Sequence, residues 1–267
     1  IAIGGPGAVF WMWVSALLGM GTKFAEVTLA VHFRERNKNG DYVGGPMYYI
    51  KNGLGKKWMW LAYLYAFFGV CAVFGTGNAT QVNTITASVN TALVNYNILS
   101  AESLPTSNLI IGIVICVIVG LILIGGLKRI GRVSEKLVPV MAVLYIVLGL
   151  GLIVLRIDKV PAVFASIFQG AFNPSAFTGG VVGSFFVSMQ KGVSRGIFSN
   201  EAGLGTGSIA HACADTDDPA KQGLYGIFEV FMDTIVICTL TALTLLCGVE
   251  AGVDISWGQS AGAELIM

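Results

Sequence analysis

The sequence predicts an all-α integral membrane protein with about six membrane-crossing helices, one of them broken. Three observations carry that expectation. Hydrophobic residues make up 55% of the 267-residue chain and charged residues only 12%, against roughly 25% charged in a soluble domain. Mean hydropathy is +0.76, more apolar side chain than a water-soluble fold of this size could cover with polar surface. Glycine stands at 35 residues, about twice the ordinary share, which suits close helix packing and interrupted helices in a bilayer.

A membrane-spanning helix needs about 20 mostly apolar residues. The first candidate runs from about Ala8 to Phe33 and the second, a long one, from Trp58 to about Asn90. The third covers Asn108–Leu127 and the fourth Leu137–Leu155. A fifth region, Gly179–Ala212, is apolar at both ends and polar in the middle; the sixth runs from about Leu224 to Gly248. Between the fourth and fifth, the Gly/Pro-punctuated stretch Pro161–Phe177 reads as a short helix or capping loop on the outer face.

Basic residues orient these helices. Arg34, Arg36, Lys38, Lys51, Lys56, Lys57, Lys128, Arg129, Arg132, Lys136 and Lys221 fall in loops on one side, whereas Arg156 and Lys159 fall on the other. The positive-inside rule places the first set in the cytoplasm. The alternation closes only if the fifth region crosses once. Formal net charge is +1, so no field favours nucleic acid.

The fifth region carries the strongest chemical signal. Between Gln190 and Gly207 it holds Lys191, Ser194, Arg195, Ser199, Asn200, Glu201 and five glycines. A charge at bilayer depth costs at least about 2.5–3.5 kcal/mol and an interior helical glycine about 1 kcal/mol. An unbroken lipid-facing helix would not hold this segment. Irregular backbone survives at membrane depth only where protein or a water-filled cavity surrounds it. The expectation is a helix break lining a cavity, where freed peptide groups with Ser199 and Asn200 bind a small zwitterion.

The second span bears a polar stripe on which Phe74, Asn78, Gln81 and Ile85 share one helical face. Gln81 and Asn78 are therefore candidate ligand contacts, with interhelical hydrogen bonding as the plainer reading; for Asn83 and Thr84 that plainer reading is favoured. Lys23 and Glu26, three apart near the end of the first span, are spaced to pair as an ion pair or cytoplasmic gate. Glu229 and Asp233 sit one turn apart and are expected to pair with Lys191 or Arg195, or else to handle a proton. The five cysteines form no CxxC pair and read as small core hydrophobes. No phosphate-binding loop, metalloprotease helix or nucleophile elbow appears, so neither an ATP-driven pump nor an enzyme is indicated, and no cofactor is called for.

The stretches GGPGAVFWMWVSALLGMGTKFAEVTLAVHFRE (Gly4–Glu35), VGGPMYYI (Val43–Ile50), FGTGNATQVNTI (Phe74–Ile85) and FSNEAGLGTGSIAHACADTDDPAKQG (Phe198–Gly223) closely resemble the sodium:alanine symporter family. The resemblance covers essentially the whole chain. It implies a LeuT-like fold of two inverted five-helix repeats, of which this chain would be an internal fragment covering helices two to seven. Residues 1–178 would complete the first repeat and 179–267 begin the second. It further implies sodium-coupled symport of a small neutral amino acid, alanine or glycine, through the plasma membrane of a prokaryote. Phe198, Ser199, Asn200 and Gly203 would lie at the broken helix, with Gln81 and Asn78 on a facing helix and Phe74 and Phe198 limiting side-chain size. The sodium ligands would lie mostly in helices outside this sequence. A proton-coupled carrier of the same fold, and a channel or structural subunit, stand as alternatives.

Overall fold

The computed structural model describes residues 1–172 and 185–252. Helix α1 (Gly7–His32) leads through a two-strand hairpin, β1 (Glu35–Arg36) and β2 (Tyr42–Val43), into the short α2 (Pro46–Tyr49) and a π turn, Ile50–Leu54. A 40-residue helical stretch, Lys56–Asn95, follows; it contains α3 (Met59–Ala72), a π turn at Val73–Gly77 and α4 (Ala79–Asn95). Next come α5 (Leu104–Leu123), α6 (Gly126–Leu155) and α7 (Val160–Phe172). Then α8 (Phe185–Asn200) and the short α9 (Thr206–His211) precede α10 (Pro219–Val230), which continues through a π segment, Phe231–Cys238, into α11 (Thr239–Glu250).

Among the described residues, five helical stretches are long and apolar enough to cross a membrane: Gly7–His32, Lys56–Asn95, Leu104–Leu123, Arg129–Leu155 and Pro219–Glu250. They match five of the six expected spans. The remaining one does not qualify as a continuous helix, because it breaks between α8 and α9 as its glycines and polar residues predict; its first residues lie outside the described ones. Of Pro161–Phe177, the part through Phe172 is helical, and the rest lies outside the described residues. So does the expected boundary between repeats near residue 178.

The chain divides into two compact units. One takes in Ile1–Phe67 and the described residues from Ile146 onward; the other is Phe68–Tyr145. In the first unit α1 is the central post, packed by α7, α8, α9 and α10. Its buried positions Ala8, Ser15, Ala16, Lys23, Val27, Ala30 and Val31 recur at helical spacing. Most are small, and the facing helices answer with glycine. A Cβ on Gly192 of α8 would fall on the Ala8 carbonyl and Trp11, and one on Gly226 of α10 would press Val27 and Lys23. At the foot of α1 the Gly7 and Gly170 backbones touch, with no room for a side chain on either. Val9, Val163, Ile167, Ala242, Leu246 and Cys247 form the main apolar core. Trp11 Nε1 donates to the Ala171 carbonyl at 3.2 Å and Trp13 Nε1 to Thr239 Oγ1 at 2.7 Å, so both half-buried indoles keep a polar partner.

Beyond α1 the chain is tied by charge. Arg34 lies over the Tyr42 ring and donates to the carbonyls of Ala212, Ala214 and Thr216, fastening the end of α9 and the segment after it. Lys51 Nζ bonds Glu35 Oε1 at 2.7 Å, and this bond holds the Glu35 carboxyl below the usual carboxylate range. Asp218 caps α10, accepting from the amides of Ala220 and Lys221, with Pro219 in the first turn. Asp218→Ala is expected to cost about 1 kcal/mol and to speed amide exchange in the first turn of α10. Unchanged exchange there would show that the cap contributes nothing.

In the second unit α4 and α5 are joined by polar groups: Asn90 bonds Asn108 across the helices, and Ser107 Oγ donates to Asn90 Oδ1 at 2.6 Å. Asn83, Thr86, Asn90, Thr91 and Asn108 line an open cleft of about 620 Å³ between these helices. The plainer reading, helix-to-helix bonding, describes Asn90, which lies outside the stripe, and not Thr84, whose Oγ1 donates to the Thr80 carbonyl of its own helix. It does not describe Gln81 or Asn78, which are exposed and have no hydrogen-bonded side chain among the described residues.

Candidate functional site

The break between α8 and α9 spans Glu201–Gly205. Its backbone leaves the right-handed helical region three times: φ is 55° at Glu201, 92° at Gly203 and 77° at Gly205. Glycine takes such angles freely, whereas glutamate does so at a cost of about 1–2 kcal/mol. Glu201 is held there by Thr206 Oγ1, which donates to Glu201 Oε2 at 2.7 Å, and by the Leu204 amide on the Glu201 carbonyl at 3.2 Å. Tyr65 OH donates to the Leu204 carbonyl at 2.9 Å, and Ser208 Oγ closes onto the Gly205 carbonyl at 2.7 Å.

Asn200 is the keystone. Its side chain is 2% exposed. Oδ1 accepts from the Ala202 amide and Nδ2 donates to Thr234 Oγ1, each at 3.0 Å, while Thr234 donates onward to Asp233 Oδ2 at 2.9 Å. Its carbonyl, the last of α8, accepts from Lys23 Nζ at 3.0 Å. A positive group at a helix C-terminus meets both the orphan carbonyl and the negative end of the dipole.

Lys23 is fully buried, and its ion-pair partner is not the one expected from spacing. Nζ lies 3.2 Å from Glu229 Oε1 on α10, and no ion pair with Glu26 forms. Lys23 Nζ turns to Glu229 and the Asn200 carbonyl, whereas Glu26, on the same side of α1, lies against the backbone amides of Gly203 and Gly205, with Oε2 buried and without a hydrogen-bond partner. Glu229 likewise takes neither Lys191 nor Arg195. Its second oxygen is 2.6 Å from His211 Nε2, and His211 Nδ1 is 2.9 Å from Gln222 Nε2. A chain of polar contacts therefore runs Gln222–His211–Glu229–Lys23–Asn200. The sequence reading missed the roles of His211 and Gln222; the i, i+7 spacing of Gln222 and Glu229 on α10, facing a histidine that ends α9, was the available signal. Beside the break, burial and the nearby Glu26 and Tyr65 push the Tyr49 phenol up to about 12.

Of the other candidates, Ser199 is exposed, with Oγ 3.4 Å from Cys238 Sγ, and Phe198 and Gly203 are exposed. Phe74, Asn78 and Gln81 belong to the second unit and are exposed. The π turn at Val73–Gly77 carries Phe74, so Phe74 leaves the α-helical register shared by Asn78 and Gln81. Among the described residues no cluster of His, Cys, Asp and Glu could hold a metal ion.

The described residues thus hold several helices of membrane-crossing length and one broken helix braced by buried polar groups. The chain matches the sodium:alanine symporter family over residues 1–266 and belongs to that family. It is 48% identical over 248 residues to an uncharacterised transporter of Haemophilus influenzae, covering 92% of this chain and 52% of that one. It is 42% identical over 255 residues to the sodium/alanine symporter AgcS of Methanococcus maripaludis, covering 93% and 52%. To the amino-acid carrier protein AlsT of Bacillus subtilis it is 40% identical over 247 residues, covering 92% and 49%. The chain spans about half the length of the curated relatives it matches.

Proposed function

We propose that the protein to which this chain belongs carries a small neutral amino acid, alanine or glycine, into a prokaryotic cell by symport with sodium. The observation that supports it is the break at Glu201–Gly205, which frees peptide groups from helical bonding inside a chain of membrane-spanning helices. Such groups recognise a carboxylate or ammonium without carrying net charge. Ser199, Gly203 and Phe198 form the proposed ligand surface of the break; Gln81, Asn78 and Phe74 are separately proposed as ligand contacts on the second span. Asn200 serves it by shaping the turn, since both ends of its amide are engaged. On this reading the fold is LeuT-like, and the break is that of the first helix of a second repeat. The sodium gradient drives uptake by favouring the outward-open state that takes both ligands.

The test is uptake of radiolabelled alanine by the full-length protein in proteoliposomes, with and without an inward sodium gradient. Saturable, sodium-dependent uptake is expected, with KM raised about tenfold or more in Gln81→Ala, the worth of one hydrogen bond to a charged group. Asn200→Ala is the weaker probe, because it dismantles the turn as well. The chain from His211 through Glu229 to Lys23 favours one second reading, a proton-coupled carrier; uptake indifferent to sodium and rising as external pH falls would select it. Flux that does not saturate would select a channel.

A further inference from the structure

Glu229 serves two partners at once. One oxygen takes the buried Lys23 at 3.2 Å and the other takes His211 at 2.6 Å. Lys23 in turn holds the last carbonyl of α8, so whatever share of Glu229 it keeps decides how firmly the break is pinned. In a neutral imidazole one ring nitrogen donates and the other accepts. Here Nε2 donates to Glu229 and Nδ1 accepts from Gln222 Nε2. When the ring takes a second proton Nδ1 becomes a donor, and Gln222 answers by turning its amide to present Oε1. The contact survives in both charge states, while the Lys23–Glu229–His211 group changes from net neutral to net positive.

We infer that His211 is a positioning residue that makes the break respond to pH: protonated, it draws Glu229 away from Lys23 and loosens the hold of Lys23 on Asn200. Imidazole is the side chain whose charge changes between about pH 5 and 8. The groups that bear on it come from each element around α9. Glu229 and Gln222 belong to α10, and Lys23 and Glu26 to α1. Arg34 bonds the carbonyls just past His211, Glu201 bonds Thr206, and Tyr49 of α2 lies near Glu26.

The inference rests on the transport reading for its meaning in the cell, but its test reads the break directly. Leu204, exposed on the turn, is changed to cysteine in a cysteine-free full-length protein in proteoliposomes. Maleimide labelling is measured at about pH 8 and about pH 5.5, on either side of the ordinary imidazole value, and divided by the rate of a free thiol at the same pH. With His211 present the corrected rate is expected to rise several-fold on acidification. In His211→Gln, which still donates to Glu229 but takes no proton, it is expected to stay level. The same pH response in both proteins, or none in either, overturns the inference. If His211→Gln does not fold, His211→Asn replaces it: a level rate is again expected, and a rise on acidification like that of the parent overturns the inference. A pH-dependent break without amino-acid uptake would sink the transport reading alone; sodium-driven uptake with level labelling would sink this one alone.

Discussion

Replacing Lys23 with methionine is expected to lower the stability of the full-length protein by about 2–3 kcal/mol. Removing one partner of a buried ion pair costs about 3–5 kcal/mol, because the other charge is left uncompensated. The Glu229 side chain keeps 44% of its exposure, so water and His211 relieve part of that. The Asn200 carbonyl also loses its donor, worth about 1 kcal/mol. Thermal unfolding in detergent micelles measures the sum. The double variant Lys23→Met/Glu229→Gln is expected to be more stable than the two single losses added together, since neutralising Glu229 removes the stranded charge. Strictly additive losses would show that the pair contributes nothing of its own.

Gly7→Ala is expected to be the most damaging single-methyl change in the first unit. Its new carbon would fall on the carbonyl of Gly170 and the amide of Ala171, which are backbone atoms. A crowded side chain can change rotamer; a backbone contact yields only if α1 and α7 move apart. Overpacking of this kind costs about 1–3 kcal/mol, and the upper end is expected here. The reciprocal change, Gly170→Ala, puts its carbon 2.9 Å from the Gly7 nitrogen, a milder intrusion with a smaller expected loss. An equal or greater loss in Gly170→Ala would mean that this contact does not limit the approach of the two helices.

The helix break was legible in sequence because its cause is local. Gly203, Gly205 and Gly207 and the charges around them are intolerable in a lipid-facing helix, whatever lies nearby. The five apolar spans were legible for the same reason, since length and hydropathy suffice. The partner of Lys23 was not. Spacing along α1 offered Glu26, but the choice between Glu26 and Glu229 depends on how closely α10 approaches α1, and Gly223 and Gly226 of α10 settle that through packing. Asn200 shows the same limit from the other side. Its residue type announced a polar role at the break, yet whether its amide faces a ligand or its own turn depends on Thr234, which lies 34 residues further on. The π turn at Val73–Gly77 was equally hidden, because nothing in Phe74–Gly77 distinguishes a widened turn from a regular one.

The distance in sequence between Lys23 and its counter-charge has a consequence for biosynthesis. Glu229 leaves the ribosome roughly 200 residues after Lys23, about 10–40 s later at ordinary synthesis rates. Through that interval α1 is in the membrane with its lysine unmatched. Lys23 lies in the second half of α1, where its four-carbon stem can carry the ammonium toward the headgroups. The first span therefore enters as an ordinary snorkelling helix, and its charge is drawn inward only when α10 arrives, so the bundle around the break closes last.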